Sequence, residues 1–100
     1  MRPFQYQHSY KKVYAKMIDT LRDRGLILIS HSHETGIIEA KRKRTFFKPE
    51  LNVKIKIRFL AELSTEVIVN AVQQRHWLKM SPSKISHFEK TIIGTLDGRL

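Results

Sequence analysis

The chain predicts an α+β fold: an antiparallel four-stranded meander with two helices packed on one face, in the order (β)αββββα. Three observations carry this. The run Val53-Lys54-Ile55-Lys56-Ile57-Arg58-Phe59 is apolar at every odd position and cationic at every even one. Such a period of two is a strand with one buried and one wet face. Upstream, Tyr10, Val13, Tyr14, Met17, Ile18 and Leu21 recur at the spacing of a helix with one apolar stripe. Downstream, Met80-Ser81-Pro82-Ser83-Lys84-Ile85 carries the start signals of a second helix.

Each element has its own local reason. Phe4, Tyr6 and His8 alternate with Gln5 and Gln7, the pattern of a short edge strand. Ser9 offers an N-cap to the first helix, and Gly25 suits the left-handed residue that ends it. Leu26 to Ser32 is an apolar run that fades into polar residues. His33-Glu34-Thr35-Gly36 is a turn, and Ile37 to about Thr45 is the return strand. Phe46 to Asn52, with Pro49, is a loop. Val53 to Phe59 is followed by a turn over Leu60 to Thr65. The fourth strand, Glu66 to Gln74, places Val67, Val69 and Ala71 on one face. In the second helix Ser81 is the N-cap and Pro82 sits where its missing N–H is harmless. Met80 and Ile85 are spaced as a hydrophobic staple. Phe88, Ile92 and Leu96 form the apolar stripe, and Asp97-Gly98 ends the helix. Gly94, inside that helix, suggests close packing. No repeat or linker divides the chain, so residues 1–100 are expected to form a single domain.

Composition narrows the function classes. The chain has 100 residues, 41% of them apolar, which suits a folded globule rather than a disordered tail. Its 19 Lys and Arg against 9 Asp and Glu give a net charge of +10. Such a charge attracts anionic partners: nucleic acid, an acidic membrane surface or an acidic protein face. The absence of cysteine removes disulfides, thiolate metal sites and cysteine nucleophiles. No stretch reaches the roughly 20 apolar residues that span a bilayer. The start Met1-Arg2-Pro3-Phe4-Gln5-Tyr6 has no apolar signal region, so as written the chain is expected to be cytoplasmic. It would be periplasmic or envelope-associated if it is trimmed from a longer one.

The charge is concentrated. Eight of the 19 basic residues lie between positions 41 and 58, opposed there only by Glu50. If the strands 37–45 and 53–59 are neighbours, burial of Ile38, Ala40, Ile55, Ile57 and Phe59 turns Lys41, Lys43, Lys54, Lys56 and Arg58 to the open face with Glu39. One allowed register sets Glu39 opposite Arg58, Lys41 opposite Lys56 and Lys43 opposite Lys54, with like charges crowded. Ile68, Asn70 and Val72 join that face from the next strand. The expected site for an anionic partner is therefore Lys41, Lys43, Lys54, Lys56 and Arg58. The rival reading is a solvated face whose charges keep the sheet soluble. Nucleic acid is the alternative partner, held by phosphate contacts. The face offers no aromatic stacking platform, so base readout is not expected. Phe46 and Phe47, beside Lys41-Arg42-Lys43-Arg44 and Lys48, are candidates for contact with a membrane surface or a partner. The rival reading folds both rings back onto the core.

Chemistry-bearing motifs are scarce. His31-Ser32-His33-Glu34 is the only cluster of metal-ligand types, and it reads as a polar hairpin end with no further ligand. Trp77 reads as a core or rim anchor. A Gly-rich phosphate loop, a nucleophile elbow and paired catalytic carboxylates are all missing from the sequence. No catalytic residue, metal or cofactor is expected.

Residues Tyr10 to Lys43 contain "KVYAKMIDTLRDRGL", then a strand, then "ETGIIEA". This third of the chain resembles the repeated domain of BamC-type outer-membrane lipoproteins and related small bacterial envelope domains of helix-grip type. The resemblance implies a curved antiparallel sheet holding a C-terminal helix, used for protein–protein interaction without catalysis. It assigns no site residues. The sequence as written shows no signal peptide or lipobox cysteine and is unusually basic for that family.

Overall fold

The computed structural model describes residues 3–43, 50–73 and 79–100. Its elements run β1 (Phe4–Tyr6), α1 (Tyr10–Asp23), β2 (Ile27–Ser32), β3 (Ile37–Arg42), β4 (Leu51–Ala61), β5 (Ser64–Gln73) and α2 (Pro82–Arg99). The fold is α+β, with an antiparallel sheet in the order β1-β5-β4-β3-β2. The sheet has five strands rather than four. Phe4–Tyr6 pairs with Thr65–Val67 along the outer edge of β5. This is the short edge strand that the Phe4-to-His8 alternation suggested; it adds to the four-stranded meander because β5 offers an edge.

β4 follows its alternation. Leu51, Val53, Ile55 and Ile57 are buried, while Lys54, Lys56 and Arg58 are exposed. Ile38 and Ala40 of β3 and Val67 and Val69 of β5 share the buried face. α1 supplies Val13, Tyr14, Met17 and Leu21 to the same core, and α2 supplies Ile92, Ile93 and Leu96. Both helices therefore cover one face, and α1 carries the chain across it from one sheet edge to the other. Among the described residues no helix packs on the other face.

The helix ends are set locally. The Ser9 and Ser81 hydroxyls accept from the Lys12 and Lys84 N–H groups, each at 3.3 Å. α1 stops at Gly25 with φ 74°. Leu26 N–H donates to the Leu21 carbonyl and Gly25 N–H to the Arg22 carbonyl, both at 3.0 Å. These are the two bonds of a Schellman stop. α2 runs past Asp97-Gly98 to Arg99, because Gly98 does not take the left-handed conformation that would stop it. Gly94 is exposed, and a Cβ there would touch nothing, so it serves no close packing. Gly36 does: at φ 72° it donates to Ser32 and accepts from Ile57 N–H at 2.8 Å, tying the β2–β3 turn to β4. A Cβ at Gly36 would collide with the Ile57 carbonyl oxygen.

Sheet edges are protected individually. β2 carries an irregularity between Leu28 and Ser30 that leaves Ile29 exposed, and a bulged edge is a poor template for another strand. Beyond the reach of β1, the Ala71 N–H of β5 donates to the Glu89 carboxylate of α2 at 2.7 Å. That bond accounts for a nearly buried acid on the apolar side of α2. At the far end, β4 and β5 turn at Glu62 and Leu63, outside the helical layer. Phe59, expected in the core, is instead 64% exposed, with Leu63 at 67% beside the turn. Among the described residues no helix is long and apolar enough to cross a membrane.

Candidate functional site

The open face is built by cross-strand rows. One row runs Lys41–Asn52–Val72 across β3, β4 and β5. The next runs Ser30–Glu39–Lys54–Asn70, starting from β2. A third runs Ser32–Ile37–Lys56–Ile68. The last joins Arg58 to Glu66 and, through β1, to Gln5. Alternation alone puts these side chains together, since their opposite-parity neighbours are in the core.

Lys41, Lys54, Lys56 and Arg58 thus share one face, but not in the expected register. Glu39 lies opposite Lys54 rather than Arg58, Lys41 opposite Asn52, and Lys56 opposite Ile37. The pairing is slipped by four residues from the expected one. The reason is the connection: β3 ends at Arg42 and β4 begins at Leu51, and these two residues pair. An even slip keeps every side chain on its face while changing every partner. The like-charge crowding therefore disappears. Lys43 follows the end of β3, exposed and outside the ladder. Phe46, Phe47 and Trp77 lie outside the described residues.

The electrostatics change accordingly. Arg58 pairs with Glu66 at 3.4 Å across β4 and β5. Exposed pairs of this kind contribute at most about 1 kcal/mol. Glu39 sits between Ser30, whose hydroxyl donates to it at 3.5 Å, and Lys54. Lys56 has Ile37 and Ile68 directly across from it. The open face is mixed, with cations outnumbering carboxylates among its described residues and Ile37 and Ile68 flanking Lys56. Glu66 was legible as a member, because it has the parity of Ile68, Asn70 and Val72. A depression of about 350 Å³ on this face is lined by Ile29, Glu39, Asn52, Lys54, Asn70 and Val72, with β3 and β4 backbone beneath.

The histidine motif lies at the β2–β3 turn, against α1. The His31 ring nitrogen is 3.0 Å from the Tyr14 hydroxyl, and Tyr10 donates to the His33 carbonyl at 2.6 Å. The His33 ring stands edge-on to Tyr10 and Tyr14 at 5.1 and 4.8 Å. Burial pushes both phenols up from their ordinary value, Tyr10 also feeling Tyr14. These contacts pin the turn to the helix. Among the described residues no group of three or more His, Asp or Glu side chains could hold a metal ion.

No model of a known protein family matches the chain, and no curated protein matches it.

Proposed function

We propose that the protein is a non-enzymatic interaction module whose open sheet face docks an acidic segment of a protein partner. The observation that carries this reading is the exposed series Lys54, Lys56 and Arg58, set along one uncovered strand. Residues two apart on a strand are separated by roughly 6.8 Å. An extended peptide with acids at alternate positions repeats at that interval. Ile37, Ile68 and Val72 provide apolar contact between the charges, as the centre of a protein interface does. The resemblance of residues 10–43 to helix-grip envelope domains points the same way, and an envelope location would suit it.

A protein partner fits better than nucleic acid. Glu39 and Glu66 lie within the face and would repel a continuous phosphate backbone. Stacking platforms for bases are missing from its described residues.

Fluorescence anisotropy with a labelled peptide of alternating glutamates, and in parallel with a random single-stranded oligonucleotide, tests this. The peptide should bind, more weakly as salt rises. The variant Lys54→Glu, Lys56→Glu, Arg58→Glu should lose at least about tenfold in affinity with an unchanged circular dichroism spectrum. Undiminished peptide binding by that variant sinks the assignment. Tighter binding of the oligonucleotide, lost in the same variant, transfers it to nucleic acid.

A further inference from the structure

On the covered side of the sheet, where the ends of α1 and β3 meet the start of α2, lies a cleft of about 400 Å³. Its described lining is Arg24, Arg42, Lys84 and His87, the hydroxyls of Ser83 and Thr91, and the apolar pair Met80 and Phe88. No carboxylate is among them. We propose that this cleft binds a small phosphomonoester carrying an apolar group, the phosphate held by Arg24, Arg42 and Lys84 and the apolar group against Phe88 and Met80. The site shares no residue with the open face and does not depend on what that face binds.

The cations come from three separate segments. Arg24 is the C-cap of α1, Arg42 is the last residue of β3, and Lys84 lies in the first turn of α2. Ser83, His87 and Thr91 are four residues apart and so line one face of α2. Arg42 has the parity of Ala40 and Ile38, which sends its side chain to the covered side. There its Nη2 donates to the Met80 sulfur at 3.4 Å, and its guanidinium carbon stands 5.3 Å from the centre of the Phe88 ring. The guanidinium is therefore held in place, half-buried, before any ligand arrives. Preorganised charge of this kind costs little further entropy on binding.

Burial lowers the Arg42 pKa from its ordinary value. A guanidinium still keeps its charge at any physiological pH. The first turn of α2 adds the positive end of its dipole from the same side.

The ligand class follows from this inventory. Arg forks match the several oxygens of a phosphate better than a single charge does. Phe88 and Met80 give a floor that a bare inorganic anion would leave in contact with water. The cleft volume is at the lower end of small-molecule sites, about 300–1,000 Å³. A phosphorylated aromatic or short aliphatic group fits it.

The test is a calorimetric titration of the full chain with three probes: phenyl phosphate, inorganic phosphate and benzyl alcohol. Phenyl phosphate should bind saturably and several-fold tighter than inorganic phosphate, with benzyl alcohol showing no binding. The exposed double variant Arg24→Gln, Lys84→Gln spares the core and should weaken phenyl phosphate by at least about tenfold. The open-face variant Lys54→Gln, Lys56→Gln has the same net charge and should bind it as the parent does. Absence of saturable binding overturns the proposal. Equal losses in the two variants overturn it as well, since they would mean attraction to net charge alone. Equal affinity for the two phosphates overturns the ligand class.

Discussion

Ile55 and Lys56 are adjacent on β4, yet they belong to surfaces that treat charge in opposite ways. The open face spreads Lys41, Lys54, Lys56 and Arg58 along two strands and sets Glu39 and Glu66 among them. The covered side is apolar through its middle and gathers Arg24, Arg42 and Lys84 at one rim with no carboxylate in the described lining. Charge that is dense in sequence is thus diluted in space, and charge that is dispersed in sequence is concentrated. A broad mixed face suits an extended partner, whereas a confined cationic cleft suits a small anion.

The two faces should separate sharply in stability. Ile55→Ala removes a fully buried side chain and should cost about 3 kcal/mol in urea denaturation. A cost below about 1 kcal/mol would mean that the helices do not seal the sheet at this point.

The alkaline limb gives an intermediate effect. The Tyr6 hydroxyl is buried, and burial, followed by the Asp97 carboxylate, raises its pKa well above the ordinary 10.0. The unfolded chain then loses this proton first as pH rises. Stability from the protonated phenol is whole below about pH 10 and is lost as pH climbs toward the folded value. Tyr6→Phe should remove part of that decline, moving the alkaline midpoint upward. An unchanged midpoint would show that Tyr6 ionisation does not govern it.

Lys56→Ala gives the smallest effect, within about 0.5 kcal/mol of the parent. A larger loss would mean that the open face helps to hold the fold together and is not a free docking surface.

Much of this was legible because it is local. The alternation of Val53 to Ile57, the Ser9 and Ser81 caps and the positive φ of Gly25 and Gly36 each depend on a few neighbouring residues. Face membership of Lys41, Lys54, Lys56 and Arg58 followed from parity alone. The register did not, because it depends on where β3 stops and β4 starts, which alternation leaves open by even steps. Phe59 continues the apolar pattern past the end of the helical layer, and nothing in its own neighbourhood marks that end. Arg24, Arg42 and Lys84 meet only through tertiary packing, so no window of sequence contains their cleft.

The central claim is that the uncovered strand face, and not net charge at large, recognises the acidic partner. Nitrogen-15 and proton shift mapping during titration with the alternating-glutamate peptide tests it most directly. The account predicts shifts confined to β3, β4 and β5 around Glu39, Lys54, Lys56, Arg58 and Ile68, with Lys84 and His87 unmoved. Shifts spread over both sides of the molecule, or centred on α2, would contradict it.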